Sequence, residues 1–276
     1  MSRTKKRLGL IGYGAFGRLI HPYLARDFEV KIFDPNFDAT ISRPLKGGTL
    51  DEAASSDIVI IAAPVQEIEG IAREIAPTLK KGTLVLDVGS VKMLPAQILQ
   101  CELPPIVDII CTHPLFGPQS AARGLDGLKV VLCPIRGKRL GAIRDWLETL
   151  SLQVIVTTPE THDREMAIAQ GITHLIAKVL SEMGPLPKEL TTPSFDLLVR
   201  AAEMVRYDAA AVFQAIEHDN PYAKSVRKRF FALAEFVKNE LEQSDHEGLR
   251  ADLINGLDEN DLSAIPLLRM RNSIVR

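Results

Sequence analysis

The sequence predicts an α/β fold: a doubly wound domain built on a parallel sheet, followed by an all-helical domain. Three observations point there. The first half alternates short, near-continuous apolar runs with helix-like segments, the pattern of buried parallel strands separated by covering helices. The first of those runs ends in a glycine-rich turn, Gly12-Tyr13-Gly14-Ala15-Phe16-Gly17, as the opening turn of a βαβ unit does. From Thr161 onward there is little strand signal and the periodicity is helical.

Taken in order, Leu8 to Ile11 reads as a strand and Phe16 to Ala25 as a helix. Phe28 to Phe33 and Ile58 to Ala63 are further strands, with a helix over Val65 to Leu79 after them. Leu84 to Val88, Ile106 to Cys111 and Lys129 to Leu132 complete six predicted strands. The pattern changes around Thr157 to Glu160, and helices are predicted to Leu180, from Ser194 to Ile216 and from Lys224 to Leu241. These readings place one domain over residues 1–159 and a second over 160–276. The stretch from Ser244 is expected either to dock on a partner subunit or to fray.

Composition narrows the class. The 276 residues carry 33 Lys and Arg against 35 Asp and Glu, a formal charge of −2. Such a balance provides no field to gather nucleic acid or an anionic membrane. The length exceeds one typical domain, since single cores stop growing near ~250 residues. The longest apolar stretch, Ile58 to Val65, falls far short of the ~20 residues of a membrane span. Three cysteines, Cys101, Cys111 and Cys133, form neither a disulfide framework nor a metal-ligand spacing. A cytoplasmic protein without a metal site is expected. The basic cluster Lys224 to Arg229, with acids nearby, reads as a solvated helix face.

The glycine motif alone is weak, but its context is specific. It follows a strand, opens a helix, and is followed by a strand ending in Asp34, 22 residues after Gly12. That is the Rossmann dinucleotide fingerprint. Gly12 allows the tight turn, Gly14 lets the backbone approach a pyrophosphate, and Gly17 permits close helix–strand packing. The helix N-terminus then offers free N–H groups and a positive dipole end. Asp34 can accept hydrogen bonds from the adenosine ribose and would repel a 2′-phosphate, favouring NAD, with NADP still open. Asp34 also precedes Pro35, and a turn residue is the alternative reading.

Ligands of doubly wound sheets sit at the carboxyl ends of the strands. Ser90 and Lys92 follow the fourth predicted strand, and His113 follows the fifth. His113 is a candidate general base because its ordinary pKa lies near neutrality. Asp163, Gln170 and His174, spaced 7 and 4 residues apart, fall on one face of a helix expected to look into the crevice; a capping Asp163 with an interhelical Gln–His pair is the alternative reading.

On these residues the chain resembles the prephenate/arogenate dehydrogenase family. The likeness is carried by Asp87-x-Gly-Ser-Val-Lys92, by Thr112-His-Pro-Leu-Phe-Gly-Pro118, and by Thr161-His-Asp163 followed by Gln170-Gly-Ile-Thr-His174. Their order and spacing match from the first strand to about Leu241. Asp108 to His113 and Lys129 to Pro134 look most like the plant-type enzymes. The resemblance implies NAD- or NADP-dependent oxidative decarboxylation of L-arogenate or prephenate in tyrosine biosynthesis, by a homodimer whose helical domain interlocks with its partner. His113 would accept the substrate's hydroxyl proton, and Ser90 would orient His113 or bond the same hydroxyl. Gln170 and His174 would bind substrate, and Lys92 would position the loop or the nicotinamide end. Asp208 matches the acid that arogenate-using relatives place near the substrate ammonium. One departure stands out: Glu203 occupies the place where some prephenate enzymes carry an Arg, leaving Arg200 and Arg206 as nearby alternatives. Other enzymes of similar layout, a β-hydroxyacid dehydrogenase or an imine reductase, and a non-catalytic NAD sensor are the alternative functions.

Overall fold

The computed structural model describes residues 5–37, 47–206 and 208–243. Arg43, the tail from Ser244 and Tyr207 lie outside the described residues. The chain separates into two compact units, 1–227 and 228–276.

The first unit is a doubly wound α/β fold followed by helices. Its strands are β1 (Arg7–Ile11), β2 (Glu29–Phe33), β3 (Ile58–Ile61), β4 (Leu84–Asp87), β5 (Asp108–Pro114), β6 (Lys129–Arg136) and β7 (Gln153–Val156). They form one sheet in the order β2-β1-β3-β4-β5-β6-β7. β1 to β5 are parallel. The expectation of an all-parallel sheet fails at β6, which runs antiparallel to β5. No helix joins those two strands, so the chain can turn back directly and pair, which a parallel crossover could not do. β7, absent from the sequence reading, then pairs parallel to β6.

Strand residues alternate between two cores. Val59, Ile61, Val85 and Ile109 pack on one side, and Ile58, Ile60, Leu84 and Ile110 on the other. This is why the strands read as unbroken apolar runs: both faces are covered. Helix α1 (Ala15–Asp27) follows β1. A short α2 (Leu50–Ala54), closed by a capping box between Thr49 and Glu52, precedes β3. Helix α3 (Ile68–Ile75) buries Ile68, Ala72 and Ile75 on one stripe, and full burial of each isoleucine contributes about 1.5–3 kcal/mol. Helices α4 (Met93–Glu102) and α5 (Leu140–Thr149) complete the covering layers.

The remainder is helical. α6 (Pro159–Glu182) starts where Thr158 accepts a hydrogen bond from the Thr161 amide, with Pro159 in the first turn. α7 (Pro193–Val205) repeats that device with Thr192 and Pro193. The single helix expected over Ser194 to Ile216 is broken: α7 ends at Val205, and α8 (Ala210–Gln214) runs into a π-turn over Ala215–Asp219. In that turn the Glu217 carboxylate is paired 2.6 Å from Arg227, so one member of the supposedly solvated basic cluster turns inward. α9 (Ala223–Gln243) extends into the second unit, where the Phe230 and Phe231 rings meet edge to face. Among the described residues no helix is long and apolar enough to cross a membrane, and no cluster of three metal-ligand side chains occurs.

Candidate active site

In this strand order the winding reverses between β1 and β3, and ligands of such sheets bind at that switch point. The Gly12 turn lies there. Gly12 adopts φ +100°, and a Cβ on it would sit 2.3 Å from the Ala62 carbonyl oxygen at the end of β3. A Cβ on Gly17 would meet the Gly12 carbonyl oxygen at 2.4 Å. Only glycine fits at either position. Gly14, the N-cap of α1, is different: a Cβ there meets nothing within 4 Å. Its open side faces a cleft of about 570 Å³ whose wall also includes Ala15 and Phe16. The first-turn amides of α1 have no partner inside their own helix, so an anion could approach them unobstructed across Gly14.

Tyr13 contributes backbone rather than side chain. Its ring is buried, with the His21 and Phe37 rings each 5.6 Å away, and burial raises its pKa. The Tyr13 amide donates to Asp34 Oδ2 at 2.5 Å, and the Asn36 amide donates to Asp34 Oδ1 at 2.7 Å. Asp34 therefore is a turn residue that ties the glycine loop to the end of β2. Each oxygen retains acceptor capacity for a ribose hydroxyl.

The far wall of the cleft is made by the ends of β4 and β5. β5 runs three residues beyond its pairing with β4, which stops at Asp87–Cys111, and is carried on by β6. His113 therefore lies within the strand, paired with Val131, rather than in a following loop. It shares the cleft wall with Ser90. His113 is only 4% exposed, and burial, reinforced by His162 and Lys92, holds its pKa well below the usual histidine value. Its Nδ1 is 2.8 Å from His162 Nε2, so His162, not Ser90, is its side-chain partner. No local signal in the sequence pointed to His162, although it stood within the Thr161-His-Asp163 motif.

Two expectations are corrected by the packing. Lys92 is not on the cleft wall. Its side chain is wholly buried, pairing with Asp87 and donating to the Thr112 carbonyl at 2.5 Å. An ammonium enclosed in this way binds the sheet ends together and cannot reach a ligand. Asp163 does not look into the crevice either. Its carboxylate accepts from the amides of Lys92 (2.7 Å) and Met93 (2.9 Å) at the start of α4. It caps a helix, as one reading allowed, but a helix other than its own.

Gln170, His174 and Asp208 do line the cleft. Gln170 Oε1 is buried with no protein partner, an acceptor that ordinarily finds a donor. His174 Nε2 stands 3.6 Å from Asp208 Oδ2, beyond hydrogen-bond distance. Burial lowers the His174 pKa and raises that of Asp208. Both shifts favour the neutral forms, so His174 is an uncharged neighbour of Asp208 near pH 7 and leaves the acid open to another cation. Arg200, Glu203 and Arg206 are exposed and off the wall.

Fold and cleft together define a dinucleotide-binding α/β protein with a histidine at its strand ends, the layout of a dehydrogenase. Residues 43–156 match the sequence model of the prephenate dehydrogenase nucleotide-binding domain. The chain is 26% identical over 224 residues to the probable arogenate/prephenate dehydrogenase of Methanocaldococcus jannaschii, covering 77% of this chain and 50% of that protein. Against chloroplastic arogenate dehydrogenase 2 of Arabidopsis thaliana it is 25% identical over 264 residues, 91% of this chain and 74% of that one. The chain thus spans half the length of the archaeal relative. The prephenate dehydrogenase of A. aeolicus, solved with hydroxyphenyl propionate and NAD+, superposes with a TM-score of 0.67 at 21% identity, covering 95% of this chain and 98% of that one.

Proposed function

We propose that this chain is an NAD-dependent dehydrogenase that oxidatively decarboxylates L-arogenate or prephenate in the cytoplasm, and that it works as a homodimer. The observation that carries the reading is His113: a histidine kept uncharged by burial, on the wall of the same cleft as the open face of Gly14. Residues 1–159 would hold the dinucleotide, and the helices from residue 160 would add the substrate wall.

The glycine turn, the α1 N-terminus and Asp34 suit a pyrophosphate and a ribose, for the reasons of space and acceptor capacity given above. When bound, the nicotinamide supplies the hydride acceptor. His113 Nε2 takes the proton of the ring hydroxyl as that carbon becomes a carbonyl. The opposite ring carbon then loses its carboxylate as carbon dioxide. The bonding pair enters the ring, which becomes aromatic, and the phenolate oxygen recovers the proton from His113. Ser90, on the same cleft wall, would donate to the same oxygen. Gln170 Oε1 and His174 face the rest of the substrate. Asp208 would meet the ammonium of arogenate, where prephenate has a keto oxygen; in a partly desolvated site that attraction favours arogenate.

The test is reduction of NAD and of NADP followed with each substrate and the purified full chain. Turnover with arogenate or prephenate is expected, faster with NAD. His113→Asn should lower kcat by about 10²–10⁴-fold with dinucleotide affinity nearly unchanged. Unaltered turnover in that variant would refute the assignment of the base.

A further inference from the structure

The proton acceptor of a reaction needs its lone pair on the nitrogen facing the substrate, and a neutral imidazole can carry its proton on either nitrogen. What surrounds His113 decides between them. The chain of contacts begins at α4, where the Lys92 and Met93 amides both donate to the Asp163 carboxylate. A group receiving two backbone N–H bonds is an acceptor. His162 Nδ1 lies 2.7 Å from Asp163 Oδ1, so His162 must carry its proton on Nδ1 and donate. In the neutral ring His162 Nε2 then has a lone pair 2.8 Å from His113 Nδ1. The contact is satisfied only if His113 in turn carries its proton on Nδ1. Its Nε2 is then the unprotonated nitrogen and the polar atom left for the cleft.

We propose that His162, itself held by Asp163, is a positioning residue that fixes His113 in the Nδ1–H tautomer with the Nε2 lone pair presented to substrate. The three groups come from β5 and α6 and are anchored on the first turn of α4. Asp163 is fixed a second time through its own backbone: the Asn220 side-chain amide donates to its carbonyl oxygen at 2.8 Å. His162 and Asp163 have fully buried side chains, so water cannot substitute for either contact. The arrangement does for His113 what an orienting carboxylate does for the histidine of a hydrolase triad, with one extra imidazole inserted. It rests on His113 being the proton acceptor, but the tautomer is measurable without turnover.

Two measurements test it. Long-range ¹H–¹⁵N correlation spectra of the histidine-labelled protein near pH 7 report which nitrogen of each neutral ring is protonated. His113 and His162 are both expected as Nδ1–H; His113 as Nε2–H overturns the proposal. Steady-state kinetics of two variants supply the second. His162→Phe keeps the ring volume and removes the acceptor, and should lower kcat by about 10²-fold or more with substrate KM within threefold. His162→Gln returns an oxygen near the position of Nε2 and should recover at least tenfold of the loss. Two results refute the positioning role: a kcat within threefold of wild type in His162→Phe, or equal losses in the Phe and Gln variants. Should the wild-type protein turn over neither substrate while His113 is Nδ1–H, the proposed activity falls and the tautomer assignment stands.

Discussion

Lys92→Met separates a structural ion pair from a substrate clamp. Lys92 and Asp87 both have 0% side-chain exposure, and the ammonium also serves the Thr112 carbonyl. Methionine keeps most of the lysine stem and its apolar packing, so the cavity contribution is small. What is lost is the cation. The Asp87 carboxyl would keep one donor on Oδ2, the Gly89 amide at 2.9 Å, while its Oδ1 already lacks a partner. Removing one member of a buried pair in this way costs about 3–5 kcal/mol. For a folding unit of this size each kcal/mol shifts Tm by about 2–4 °C, so Tm should fall by roughly 6–20 °C. Urea unfolding at pH 7, compared at constant m-value, measures the loss directly. Asp87→Leu combined with Lys92→Met removes both charges and should return stability to within about 1–2 kcal/mol of wild type. A loss below about 1 kcal/mol in the single variant, together with a raised substrate KM, would refute the buried-strut reading and return Lys92 to the ligand wall.

The glycine turn yields a paired prediction. Gly14→Ala should leave stability within about 1 kcal/mol and weaken dinucleotide binding at least tenfold in calorimetry. Gly17→Ala should cost about 1–3 kcal/mol of stability because its Cβ meets backbone. Asp208→Asn should lower kcat/KM for arogenate and shift preference toward prephenate, and an unchanged ratio would remove Asp208 from the ammonium site. Stability should also fall with acid below pH ~6.5, because burial depresses the pKa values of His113, His174 and His21 in the folded protein. The unfolded chain takes up protons there that the folded chain does not, so ΔG of unfolding falls as pH falls. For the almost fully buried His113 the slope reaches about 1.4 kcal/mol per pH unit. His113→Asn should flatten the denaturation midpoint against pH between 6.5 and 5.

What the sequence determined by itself is what local chemistry dictates. Gly12 to Gly17 could be read because a tight turn, a close backbone approach and an open helix start each select glycine within six residues. The strands of the first half were legible because a sheet covered on both faces needs unbroken apolar runs, and α6 because its apolar spacing and Thr-Pro start are local. The features that escaped that reading depend on distant partners. β6 looks like any other buried strand, and only its pairing with β5 shows the reversed direction. Lys92 lies in a motif that reads as ligand contact, yet its ammonium is taken up by Asp87 and by a carbonyl 20 residues away. Tertiary structure alone brought His162 to His113 across 49 residues, and Asp163 to the start of α4 across 71. A side chain's residue type states what bonds it can make. Only packing, which removes water and leaves a single neighbour within reach, decides which of them it makes.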